Sequence, residues 1–271
     1  MTILIALATL LALLGLGLAL DWRAQSHRRR QAAQIAAGIE QLVMLVQGVQ
    51  KHRGLGAQKT QDAAWQCELL GGQLERQWAV VLERLHAESS AGAEMAQQLR
   101  GAWNHVRAAR QDFTAHCQLI DRLLAMMSLR ERQWLDLQRK TGPEKAVQVI
   151  APRCRAIEDL GRLRGLSAHA ANHTHCPIEF AVPLRYLCQR IADGELQAQD
   201  SAIRLALHEI ENKLLQSARV ELTPARCFEL LTPSIDRALD ALRQSFAKKS
   251  VSRSAVRAPR PGRLVPAPLA G

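Results

Sequence analysis

The first twenty residues, MTILIALATLLALLGLGLAL, carry no charge, and their strongest polar groups are the hydroxyls of Thr2 and Thr9. At 1.5 Å per residue such a run makes roughly 30 Å of helix, the thickness of a bilayer's hydrocarbon core. A secretory leader would carry a basic stretch before the apolar run and a small-residue cleavage site after it, and neither is present. The next ten residues are instead DWRAQSHRRR, four of them arginines. Basic residues beside a spanning helix tend to stay in the cytoplasm, and a tryptophan such as Trp22 suits the interfacial belt. Residues 1–20 are therefore expected to form a single-pass transmembrane helix in a bacterial-type inner (plasma) membrane. Residues 21–30 then form a basic juxtamembrane segment, and the body faces the cytoplasm.

The net charge of +11 raises the question of nucleic acid, and its distribution answers it. Residues 21–30 hold +3, residues 248–271 hold +6, and the 217 residues between them hold only +2. A nearly neutral body lacks the basic face of a duplex binder, so no nucleic-acid partner is expected. The basic ends suit anionic lipid or an acidic partner. Six cysteines (Cys67, Cys117, Cys154, Cys176, Cys188 and Cys227) show no C-x-x-C spacing, which argues against a zinc ribbon or redox motif and for reduced thiols in a core.

The body, 31–247, is expected to be all-α. Ala, Leu, Gln and Arg dominate, aromatics are 4 %, and period-two alternation is nowhere sustained. Helices are expected from the anchor to about 60, then over about 62–87, 93–140, 143–171, 178–193, 197–220 and 224–247. KTGPEK, with Thr141 and Pro143, should separate the third from the fourth, and LTPAR should cap the last. Such lengths and short connections describe antiparallel helical bundles. The segment 248–271 has four prolines and no acid, and is expected to be a disordered basic tail.

Two arginines interrupt the apolar seams. Ile35, Ile39, Leu42, Val46 and Val49 step by four and three residues along one helix face, and the next step of four is Arg53. Ile150, Cys154, Ile157 and Gly161 do the same, and the next step is Arg164. Each arginine aims a charge at the bundle interior or its edge, where it needs a partner. Aligned on their Arg-Gly pairs, VQGVQKHRGLGAQ and IEDLGRLRGLSAH share Arg, Gly, Leu and Ala 111 residues apart, with Gly56 opposite Ser167, as two related half-units would. Gly54 and Gly165 leave room for a close approach beside each arginine. Guanidinium groups from different helices repel unless an anion lies between them, and their planar fork matches small oxyanions. A seam arginine more often meets a buried glutamate or reaches solvent. Acids nearby are few: Glu40 is too far along its helix, and Glu158 and Asp159 lie six and five residues before Arg164.

The passage LVQGVQKHRGLGAQ resembles the opening motif of the nitrate- and nitrite-sensing (NIT) domain, in which an apolar helix leads to Gln-x-x-Arg-Gly. The resemblance implies a paired four-helix-bundle fold, nitrate or nitrite bound by arginines between the bundles, and helix displacement as the signal. It carries over to Arg53 and to Arg164, with Gly54, Gly165 and His52 beside them; Arg162 does not share Arg164's face. His52 stands where family members usually carry an acid, which makes the neighbourhood more positive and open to pH dependence. No kinase, cyclase, chemoreceptor hairpin or RNA-binding segment is recognisable after Ala247, so a downstream signalling protein in trans is implied. No enzyme activity and no cofactor are expected, and a homodimer is allowed for.

Two rivals remain. A membrane-anchored helical scaffold with no small-molecule ligand would pair both arginines internally. A metal-binding module would use His169, His173, His175 and Cys176, although such a tight cluster reads more simply as a polar helix end and loop. Cys117 and the Met126–Met127 pair read as core, and Gly71-Gly72 matches no phosphate loop.

Overall fold

The computed structural model describes residues 2–58, 60–88, 90–139 and 150–255. Among them every regular element is helical and none is a strand. The elements are α1 (Thr2–Gly56), α2 (Gln61–Glu88), α3 (Ser90–Ala108), α4 (Phe113–Arg139), α5 (Ile150–Ala170), α6 (Ile178–Ala192), α7 (Glu195–Gln199), α8 (Ser201–Ile210), a π-helical turn (Glu211–Leu215) and α9 (Pro224–Ala255).

α1 is continuous over 55 residues and is the one helix among the described residues long and apolar enough to cross a membrane. Its leucines from Leu10 to Leu20 are exposed wherever described, whereas Ile39, Leu42, Val46 and Val49 are buried in the core. One helix thus has an unpartnered apolar end and a packed end.

α1 packs on α2 and α4, α2 on α3, and α3 on α4; α5 packs on α6 and α9, with α8 against α9 and α6. The two groups meet where α1 and α4 touch α5 and where α1 touches α9. A single apolar cluster runs through both, from Ile39 to Leu242. The six cysteines are free, and burial pushes the Cys154, Cys188 and Cys227 thiols up to about 12.

Several boundaries differ from expectation for local reasons. The run 93–140 is two helices, because Asp112 stops it: its Oδ1 accepts from the Ala115 N–H at 2.9 Å, an N-cap that opens α4. Thr60 lies beyond α1, where its hydroxyl accepts from Ala63 N–H at the start of α2. The expected helix over 197–220 is divided at Asp200, which caps α8 through Ala202 N–H, and passes into the π turn. Thr223 and Pro224 open α9 as LTPAR implied, with Arg226 N–H donating to the Thr223 hydroxyl at 3.1 Å. α9 continues to Ala255, eight residues past its expected end at 247. Thr141, Pro143 and the rest of the tail, 256–271, lie outside the described residues.

Candidate functional site

The seam positions of Arg53 and Arg164 put both side chains inside the protein, 2 % and 3 % exposed. They share a pattern. The Arg53 guanidinium carbon lies 5.1 Å from the centre of the Phe113 ring at the start of α4, and that of Arg164 lies 5.1 Å from the centre of the Phe228 ring in α9. The glycine after each arginine receives the other's phenylalanine. A Cβ on Gly165 would stand 2.5 Å from Phe113, and one on Gly54 would stand 2.6 Å from Phe228. The repeat in the sequence is thus a repeat in space, with aromatic rings filling the room beside Gly54 and Gly165.

The two arginines differ in charge balance. Arg53 makes a bidentate pair with Glu158 of α5, Nη1 to Oε1 at 2.6 Å and Nη2 to Oε2 at 3.1 Å. Gln50 Nε2 donates to the same carboxylate at 2.7 Å, and Arg162 Nε donates to it at 2.9 Å. Burial alone would raise the Glu158 pKa, but the Arg53 charge and these three donors outweigh it and hold the carboxyl below its usual range. Burial likewise disfavours the Arg53 cation, and Glu158 outweighs it, so the Arg53 pKa is raised. Arg162 is half-buried and also bonds Asp121 at 2.6 Å. Cys117 accepts from Arg53 Nη1 at 3.1 Å.

Arg164 has no carboxylate on it. Its Nη1 donates to the Thr232 hydroxyl at 2.8 Å, its Nη2 reaches the Gln50 carbonyl at 3.5 Å, and its buried Nε has no hydrogen-bond partner. Burial and the Arg53 charge lower its pKa to about 10, against weaker support from Asp236 and Glu158. One turn further on the same helix, the buried Ser167 hydroxyl is also without a partner, as is Gln50 Oε1. The buried cation thus keeps one unused donor, Nε, with one unused hydroxyl a turn away and one unused acceptor, Gln50 Oε1, on α1.

His52 takes no part in these contacts. Its ring bonds and stacks on His116 of α4, Nδ1 to Nε2 at 2.9 Å, and meets Trp103 edge-on at 5.4 Å between centres. His116 Nδ1 lies 2.6 Å from the Asp112 carbonyl, so it carries the proton there, and its Nε2 accepts from His52. Burial, with neighbouring cationic groups, lowers both histidines to about 4. The other histidine cluster does not converge: His169 packs between Phe113 and Phe180, His173 packs on Phe180, and the Cys176 thiol turns to the Pro177 carbonyl. Among the described residues no three His, Cys, Asp or Glu side chains gather as metal ligands. A cleft of about 660 Å³ lined by Leu82, Glu83, His86, Glu94 and Arg100 contains none of the arginine-site residues.

Phe113, Phe228 and Thr232 join the site without having been singled out in the sequence. Glu158, weighed there as an acid near Arg164, joins it as the carboxylate on Arg53, and Gln50, the glutamine of the Gln-x-x-Arg-Gly motif, joins it as a donor to Glu158. Their weak signals were there: Glu158 stands four residues before Arg162, and Phe113 and Phe228 are two of only four phenylalanines. No family model, curated protein or solved structure matches this chain.

Proposed function

We propose that this protein is a membrane-anchored sensor that binds nitrate or nitrite at Arg164, beside Arg53, and signals to a partner protein. The architecture this reading adopts is two antiparallel four-helix bundles, α1–α4 and α5, α6, α8 and α9, carried on a membrane span at 1–20 with the body in the cytoplasm. The observation that carries it is Arg164: a buried cation with no carboxylate on it, an unpaired Nε and an unpaired serine hydroxyl one turn away. A buried charge left in that state is costly unless an anion completes it.

Glu158 already occupies Arg53, so the oxyanion sits on Arg164 and bridges toward Arg53 only at its edge. Binding lowers the cost of the Arg164 charge and favours one packing of α1 against α5 and α9, by the difference in anion affinity between packings. The reading involves no catalysis and no cofactor. The scaffold reading draws support from one observation of its own, that Arg53 is fully met by an internal carboxylate.

The separating experiment is thermal unfolding of the full chain in detergent, titrated with nitrate, nitrite, chloride and sulfate at matched ionic strength. Nitrate or nitrite at a hundred times its dissociation constant should add about 2.7 kcal/mol, and Arg164→Met should abolish the gain. Equal responses to all four anions would make the arginines structural and leave the scaffold.

A further inference from the structure

The sequence repeat relates each residue of α5 around Arg164 to one of α1 around Arg53, and the contacts obey it. Arg53 Nη2 would lie 2.9 Å from a Cβ on Gly161, and Arg164 Nη2 reaches the backbone of Gln50, the repeat partner of Gly161. Each arginine also stacks on the phenylalanine that abuts the other's glycine. In charge on the arginines, the symmetry fails at one position. Glu158, which neutralises Arg53, has Gln47 as its repeat partner, and Gln47 is uncharged and accepts from Arg243 instead.

We infer that Glu158 is a built-in counter-anion filling one of two repeat-related anion positions, so that each chain takes a single monovalent oxyanion, at Arg164, and rejects dianions. This rests on the anion-binding reading above and adds to it the charge and number of the ligand. The buried set Arg53, Arg164 and Glu158 sums to one positive charge; a monoanion makes it neutral, whereas a dianion would leave a net negative charge in the same dry interface. Arg162 does not alter this sum, because its second carboxylate, Asp121, is at the surface and balances it.

The test is isothermal titration of the full chain in detergent with nitrate and with sulfate, on the wild-type protein, Glu158→Gln, Arg243→Gln and the double variant Gln47→Glu with Arg243→Gln. The wild type should bind one nitrate per chain and sulfate at least tenfold more weakly. Glu158→Gln should gain a second nitrate or bind sulfate as well as nitrate. Gln47→Glu, made together with Arg243→Gln so that the cation already on that side chain does not take the new carboxylate, places a charge at the position that repeats Glu158. It should weaken nitrate at least tenfold relative to Arg243→Gln alone while raising the unfolding midpoint in anion-free buffer. Glu158→Gln removes a buried partner; if it does not fold, the double variant decides alone. Two nitrates per wild-type chain, or equal nitrate affinity in Arg243→Gln and the double variant, would overturn the inference while leaving the sensor reading intact. A wild type that binds neither nitrate nor nitrite overturns both.

Discussion

Gly54 abuts the Phe228 ring, and a Cβ in its place would stand 2.6 Å from the ring's Cε1. The same ring carries the Arg164 guanidinium, so the glycine sets where that cation rests.

Glycines in this fold therefore divide by what stands over them. Gly54→Ala and Gly165→Ala push aside the rings under the arginines, and each should destabilise by about 1–2 kcal/mol in denaturant unfolding despite the better helix propensity of alanine. Gly56→Ala should cost more, since its Cβ would run into the backbone carbonyl of Arg110. Gly72 and Gly101, with nothing within 4 Å, should instead gain about 0.5–1 kcal/mol as alanines. A uniform response across the five would show that packing does not govern them.

Arg53 and Glu158 should behave as one unit. Glu158→Gln leaves Arg53 buried without its carboxylate and should cost about 3–5 kcal/mol. The double variant with Arg53→Met should cost less than the two singles together, by at least about 1.5 kcal/mol. Additive losses in the cycle would mean that the pair contributes only packing.

Arg164 should be a liability in the absence of an anion. Its pKa, lowered to about 10 by burial and by Arg53, means that folding disfavours the charged form by about 3 kcal/mol. Arg164→Met should accordingly raise the anion-free unfolding free energy by about 1–3 kcal/mol, with the broken bond to Thr232 taking back the rest. A loss of stability in that buffer would show that the charge is already compensated.

Acid should unfold the protein early, through the pair His52 and His116. Both titrate near 4 when folded and near 6.5 when unfolded, so the unfolded chain binds protons first as pH falls. Their contribution is complete above about 6.5 and is lost between there and about 4, on the order of 3 kcal/mol for each ring. Protonating His116 Nε2 also turns the acceptor of the His52 bond into a donor. Urea midpoints should hold from pH 7.5 to about 6.5 and fall from there to 4.5, and replacing both rings by glutamine should flatten the curve. An unchanged slope would place the acid sensitivity elsewhere.

Much of this site was legible in the sequence, because a 3.6-residue period fixes which face of a helix a residue occupies. The stripe from Ile39 to Val49 aimed Arg53 inward, and that from Ile150 to Ile157 did so for Arg164. The period does not fix how one helix is rotated against another. Glu158 lies 105 residues from Arg53, and only the docking of α5 on α1 brings the two within 2.6 Å. His52 shows the same limit from the other side: adjacent to Arg53 in the chain, it turns toward α4 and joins a different cluster. Asp112 was hidden because its side chain interrupts a run of good helix formers through a hydrogen bond that composition does not display.

α1 reaches from its exposed leucines to Arg53 without a proline or a break. At 1.5 Å per residue its 55 residues form a rod about 80 Å long, and a rod has no joint at which motion can dissipate. Its two ends are mechanically one object. In the proposed sensor, a slide of one residue rise, about 1.5 Å, or a turn of about 100° at the arginine would carry along the unbroken helix toward its far end. Such a helix would let that sensor's partner read the arginine from several nanometres away.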